Sequence, residues 1–501
     1  EVATTAKQRF AFEDLFLLQL NNINMRLRLA SERAKPLNAP DARIEELLSR
    51  LPFQLTLSQK TSLKEVLENI KESRPMNRLL QGDVGSGKTV IAAIAAIVAA
   101  ETHHQAAFMA PTEVLAQQHY KTLTGLFGHC HIPVGLLTGA GAKIFLDAGI
   151  ESTIKRTEFI DRVKTGEIKI IIGTHALIEK AVRFPALALV IVDEQPRFGV
   201  AQRASLISGT KGKDFIPHFL SMSATPIPRT LMLTVFGDLD LSTITELPEG
   251  RKEIITKIVA PENRNKAYAF IREQIRKGRQ AFMIYPRIEK AENTVAEGAQ
   301  DHLHWNEAKA LVEEFEKLSK TIFPDLKLAM LHGKMKSKEK STVMTQFRNR
   351  EIDILVSTSV IEVGVDIQNA TIMMVEGADR FGLSQLYQFR GRVGRGDHQS
   401  FCLLFTDSGS ATVERRLKSL VEAKNGFELA EKDLAIRGPG EFLGTSQTGI
   451  PDMAMQALNN MELVKTARAA AVAIIKKDQT LKSHPALKKR FEQFQKNVHL
   501  E

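Results

Sequence analysis

Gly82, Asp83, Val84, Gly85, Ser86, Gly87, Lys88 and Thr89 form a complete G-x-x-x-x-G-K-[ST] phosphate loop. The glycines let the backbone bend tightly and turn its N–H groups toward phosphate oxygens. Lys88 can reach the β- and γ-phosphates. Thr89 can hold Mg²⁺ from the first turn of a helix whose positive end faces the anion. ATP with Mg²⁺ is therefore the expected cofactor pair. A second cluster, Asp193 and Glu194, ends the apolar run 187–192. Successive strand residues point to opposite faces, so the two acids take different tasks. Asp193 is expected to hold Mg²⁺ with Thr89, and Glu194 to orient and deprotonate the attacking water. Hydrolysis also needs positive charge beyond the γ-phosphate. The block 388–395 begins with Gln388 and offers Arg392 and Arg395, three apart, near enough to address one phosphate from a single helical turn.

These residues need a frame. The loop follows the apolar run 76–80 and leads into 90–98, the strand–loop–helix context it requires. Further β-rich runs at 105–110, 134–138, 168–173, 187–193 and 218–223 alternate with helical patterns, as in a parallel sheet. The polar residues that end them would lie at the carboxyl edge, where open α/β folds bind ligands. After a linker at 246–251 the alternation restarts at 280–285, 327–331, 352–357, 371–376 and 401–405, without a second phosphate loop. The reading is an α/β chain of four parts. A helical linker spans 1–50, an ATP-binding lobe 51–246, a second lobe 247–407, and a mostly helical tail 408–501. The head reads as one long amphipathic helix with Phe10, Phe12, Leu15, Leu18 and Leu20 on its apolar side. With the arginine pair on the other lobe, ATP is expected to close an interlobe cleft that hydrolysis releases.

At 501 residues the chain is too long for one core. Its net charge of +10 favours a polyanionic partner. Two cysteines, Cys130 and Cys402, exclude a disulfide framework and suit a reducing cytosol. No apolar run approaches the ~18–20 residues of a membrane span, so no membrane partner is expected. Lys7 and Arg9, followed by Glu13 and Asp14, do not make a signal peptide. The expected location is cytoplasmic. An aromatic content of 6% offers no base-stacking platform and suits duplex tracking better than sequence readout.

The motifs together resemble superfamily 2 nucleic-acid helicases, and within them the RecG family of bacterial DNA helicases. The block 51–59 is similar to the adenine-reading segment, which implies roles for Phe53 and Gln59. After the phosphate loop come 110–119, 173–177, 193–195, 197–200 and 223–230, then 332–335, 357–366 and 388–395. The tail, at 425–434 and 437–449, is similar to the translocation element that the RecG family shares with the coupling factor Mfd. The resemblance implies two tandem RecA-like lobes, with Gly364 and Asp366 joining the nucleotide site. It implies phosphate tracking by Thr112, Gly139, Thr174, His175, Arg287, Thr358 and Ser359. Coupling is implied for Ser223, Thr225, Arg437 and Gln447.

The implied activity is ATP-dependent translocation on double-stranded DNA, remodelling stalled forks and Holliday junctions in recombination and repair. Two alternatives stand beside it: an Mfd-like translocase, and an ATP-dependent DNA-binding switch with impaired coupling. The switch is motivated by Pro196, which stands where the family carries a histidine and can neither hydrogen-bond through its side chain nor donate an N–H. Tyr387 replaces a second usual histidine. The family also has an upstream wedge domain. The chain begins at Glu1 rather than Met, so it is read as a fragment lacking that domain, which could carry a single-strand-binding-protein contact. A monomer on branched duplex DNA is expected.

Overall fold

The computed structural model describes residues 2–146, 150–179, 181–194, 215–225, 227–234, 237, 239–246, 252–286, 311–333, 335–358, 367–443, 457–458 and 460–497. Nine strands form the first sheet: β1 (Asn77–Gly82), β2 (Gln105–Met109), β3 (Val134–Thr138), β4 (Gly141–Phe145), β5 (Glu151–Ile154), β6 (Ile170–Gly173), β7 (Leu187–Asp193), β8 (His218–Ser223) and β9 (Asp240–Ile244). Their order is β5-β4-β3-β6-β2-β7-β8-β1-β9. The central strands are parallel and buried on both faces, so they read as continuous apolar runs rather than alternating ones. Covering helices supply that burial. Lys88–Glu101, built of alanine, isoleucine and valine, is buried almost all round.

The second sheet holds β10 (Ile255–Val259), β11 (Gln280–Ile284), β12 (Leu328–Leu331), β13 (Ile354–Ser357), β14 (Ala370–Val375) and β15 (Phe401–Phe405). It is parallel throughout in the order β10-β15-β14-β11-β13-β12. Every run expected to be a strand is one. The structure adds β4 and β5, an antiparallel extension at one edge, together with β9 and β10. These four are short and partly exposed, which removes the apolar signal that marked the others.

Two expectations about organisation change. The head is not one helix. Val2–Ser31 stops before an irregular stretch at 32–40 that contains Pro36 and Pro40, and Pro40 caps a separate helix, Asp41–Ser49. Phe10 lies 54% exposed, while Leu15, Leu18 and Leu20 are buried. Nor does the tail from 408 stand as a domain. The chain divides into Glu1–Leu247 with Asn425–Glu501, and Pro248–Lys424. The helix Ala411–Glu422 belongs to the second unit, where Arg390 Nη1 donates to Leu420 O at 2.8 Å. Beyond it the chain returns to the first. Leu434, Leu458, Val464 and Ala467 share a core with Leu15, Leu79 and Leu231. Leu17, Leu18 and Leu20 pack with Ala471, Ile475, Phe491 and Phe494. No helix of the described residues is long and apolar enough to cross a membrane.

Candidate nucleotide site

β1 delivers Gly82 to the carboxyl edge of the first sheet, where the phosphate loop begins. Ser86 N donates to Asp83 O at 3.1 Å and closes the turn. Gly85 and Gly87 have φ of 77° and 89°, a left-handed backbone that strongly favours glycine. At Gly87 a side chain would also collide with Gln59. Lys88 starts the covering helix, and its Nζ donates to Gly82 O at 2.7 Å and to Asp83 O at 2.9 Å. Ser86 Oγ is buried and has no hydrogen-bond partner among the described residues. An unspent hydroxyl, a lysine ammonium and left-handed glycines make a cradle with the donor set a triphosphate needs.

Gln59 stands differently from its expected adenine-reading role. It is buried at the start of Leu57–Ile70, in a capping box with Thr56. Its Oε1 accepts from Thr56 N at 2.8 Å, and its Nε2 donates to Ser86 O at 2.7 Å. Both ends of the amide are engaged inside the protein, and the residue braces the phosphate loop. Phe53 is 44% exposed, leaving an aromatic face open to solvent beside this segment.

Sheet register brings the acids to the same edge. β7 and β1 flank β8, with Asp193 beside Met222 and Gln81 beside Ser223. One strand therefore separates the acidic pair from the loop, roughly 10 Å across the sheet. Asp193 is 6% exposed, and His119 Nε2 lies 2.7 Å from its Oδ2. Glu194 has φ of 55°, a backbone strain that a non-glycine residue rarely carries and that clusters at functional sites. Its N–H donates to Met222 O at 3.0 Å, and its Oε2 accepts from Ala224 N at 3.4 Å. The second acid thus touches the 223–225 loop. Among the described residues no group of three or more His, Cys, Asp or Glu is disposed to hold a metal. Thr89 and Asp193 fit a cation that arrives with phosphate oxygens as its remaining ligands.

The family model for DEAD/DEAH box helicase matches residues 56–234, and that for the helicase conserved C-terminal domain matches 267–397. A third, for ATP-dependent DNA helicase RecG, domain 3, C-terminal, matches 423–498. ATP-dependent DNA helicase RecG of Synechocystis sp. is 45% identical over 490 residues, covering 97% of this chain and 56% of the relative. The RecG of Bacillus subtilis is 42% identical over 486 residues, covering 95% of this chain and 67% of the relative. The chain belongs to the RecG family. A solved structure of RecG bound to a three-way DNA junction superposes with a TM-score of 0.73 at 38% identity, covering 93% of this chain and 57% of that one. The chain thus spans a little over half the length of the first RecG relatives it matches.

Other RecG-type motif residues take up varied positions. Thr112 caps the helix Glu113–Phe127 and accepts from Leu115 N at 3.4 Å. Thr174 is half-buried and His175 exposed at the carboxyl end of β6. Ser223 is fully buried, its hydroxyl 3.0 Å from both Thr225 O and Thr225 Oγ1. It can couple loops but cannot touch a polyanion. In the second unit Thr358 is also buried, and Gln388 lies half-buried on Leu383–Arg390. Arg392 and Arg395 do not share a helical turn. The helix ends at Gly391, and Gly394, with φ of 77°, would press a side chain into Ile254. Arg392 is buried and Arg395 half-buried on the turn that follows.

Pro196, Arg287, Ser359, Gly364, Asp366 and Gln447 lie outside the described residues, as does the side chain of Arg437. His119 escaped the sequence reading as a site residue. Its signal was a histidine on the buried stripe Leu115, Ala116, His119, Tyr120, Leu123 and Phe127.

Proposed function

We propose that this chain is the ATP-driven motor of a RecG-type helicase, hydrolysing ATP at the phosphate loop to move on branched duplex DNA. The observation that carries the reading is the RecG-type C-terminal segment folded into the ATP-binding unit. There Gly426 N, at the start of Gly426–Leu443, donates to Asp83 Oδ1 of the phosphate loop at 3.3 Å. The segment that distinguishes the family meets the loop that distinguishes the nucleotide site. No observation favours the Mfd-like alternative.

Lys88 and the loop amides hold the triphosphate, and Thr89 with Asp193 hold Mg²⁺. Bound there, the ion would neutralise charge on the β- and γ-phosphoryl oxygens. Glu194, on strained backbone beside Ala224, is proposed to take the water proton. Arg392 and Arg395 are the proposed arginine pair. The edge residues Thr112, Thr174 and His175 are proposed to meet DNA phosphates, and the chain to act as a monomer.

The test is ATP hydrolysis with and without a three-way DNA junction, paired with displacement of a triplex-forming strand to report translocation. Junction DNA should stimulate the wild type, and the third strand should be displaced. Lys88→Ala should abolish hydrolysis. Glu194→Gln should still bind ATP but turn over about 100-fold or more slowly. Undiminished hydrolysis in Lys88→Ala would sink the site assignment. DNA-stimulated hydrolysis without strand displacement would instead favour the switch reading that Pro196 suggested.

A further inference from the structure

The imidazole of His119 is 4% exposed and directs Nε2 at Asp193 Oδ2, 2.7 Å away. Only one proton placement suits this contact, because a carboxylate accepts: Nε2–H donates to Oδ2. The other ring nitrogen, Nδ1, is buried with no partner among the described residues. Asp193 is therefore the polar contact the structure shows for this ring. A purely packing position would be filled at lower cost by an apolar side chain, which has no nitrogen to desolvate.

The ring is also held in place. It stacks on Phe108, with centroids 4.5 Å apart and planes 30° apart. Phe108 sits on β2 beside Ile191 of β7, and Ile191 shares a sheet face with Asp193 two residues on. A rigid sheet thus sets the angle at which the imidazole meets the carboxylate. The helix behind it is fixed at its start. Thr112 caps it, and Glu113 Oε1 accepts from Ala140 N at 3.0 Å, tying it to the loop after β3. His119 lies six residues, about 9 Å, along this helix from Glu113.

We propose that His119 is a positioning residue for the nucleotide site. It holds Oδ2 of Asp193 so that Oδ1 serves the magnesium of the bound nucleotide, and it ties that carboxylate to the edge loops after β2 and β3. The inference rests on the nucleotide reading above and adds a residue to it. A partner one shell out that orients a metal-binding carboxylate is typically worth 10- to 100-fold in metal affinity.

The experiment titrates Mg²⁺ against binding of a fluorescent, non-hydrolysed ATP analogue, followed by fluorescence, with thermal melting recorded for each variant. His119→Ala removes ring and donor. His119→Phe keeps a ring to stack on Phe108 but has no N–H. His119→Gln restores a donor at the reach of Nε2. The Ala and Phe variants should need at least tenfold more Mg²⁺ for half-maximal binding, with Gln within about threefold of wild type. Mg²⁺ midpoints for Ala and Phe within twofold of wild type would overturn the proposal. So would a Gln variant shifted as far as Phe, since packing alone would then explain the effect. Lys88→Ala separates the two levels of argument. Binding that depends on Lys88 but not on His119 defeats only the role of His119. A wild type that does not bind the analogue at any Mg²⁺ concentration removes the nucleotide site and this proposal together.

Discussion

His218 shows how a single polar residue can be committed to the neutral form by its neighbours. It is fully buried at the start of β8, where Nδ1 accepts from Met76 N at 3.1 Å and Nε2 donates to Lys35 O at 2.9 Å. Protonating Nδ1 would set one N–H against another. Burial holds its pKa below the ordinary histidine value, with nearby His104 acting in the same direction and the Lys35 carbonyl and Glu72 opposing. The unfolded chain takes up this proton near pH 6.5, whereas the folded chain takes it up only at lower pH. Stability from this group is thus complete above about pH 6.5 and falls as pH drops toward the folded pKa, by at most ~1.4 kcal/mol per pH unit. His218→Gln keeps an acceptor and a donor without titrating, so it should flatten the fall in urea midpoint between pH 7 and 5. Parallel pH profiles for the two proteins would refute the assignment.

At the scale of elements, the docking of Val2–Ser31 is the most exposed to test. Leu18 is fully buried and packs with Leu17, Leu20 and the C-terminal helices through Ala471, Ile475 and Phe494. Leu18→Ala should cost about 2–5 kcal/mol, through lost transfer energy and the cavity left behind. Phe10→Ala, on the exposed side, should stay within about 0.5 kcal/mol. Equal shifts in denaturation midpoint would contradict this placement. The pair also marks what the sequence could and could not disclose. The buried strands and the phosphate loop were legible because their signals are local: β7 is six apolar residues closed by an acid, and the loop is eight consecutive positions. The hairpin β4–β5 was not, because its exposed edge alternates weakly. The break after Ser31 was masked by a continuing helical pattern, although Pro36 and Pro40 announced it. The contacts of His119 and Gln59 were hidden for another reason. Their decisive partners, Asp193 and Ser86, lie 74 and 27 residues away, and periodicity names a buried face without naming what meets it.

The whole molecule is two units cut unequally from the chain, and that inequality has a consequence for folding. Pro248–Lys424 is contiguous and contains a complete six-stranded parallel sheet. Its core of Ile271, Phe282, Met283, Phe323, Phe347, Ile354 and Phe405 is drawn from within it. The other unit is assembled from both ends. Leu15, Leu79 and Leu231 share one buried cluster with Leu434, Leu458, Val464 and Ala467. Removing everything after Lys424 would therefore expose a row of leucines along the N-terminal helix and beneath β1. At ~1.5–3 kcal/mol for each large apolar side chain returned to water, the loss would equal much of a typical domain's stability. A fragment of residues 248–424 should fold alone and melt cooperatively. Residues 1–247 should be destabilised or aggregate, and residues 425–501 supplied in trans should restore a cooperative melt. Circular dichroism on the three preparations decides the matter. A fragment 1–247 that melts as the first unit does in the intact chain would mean the C-terminal helices only decorate that unit, and the contact between Gly426 and Asp83 would lose its structural support.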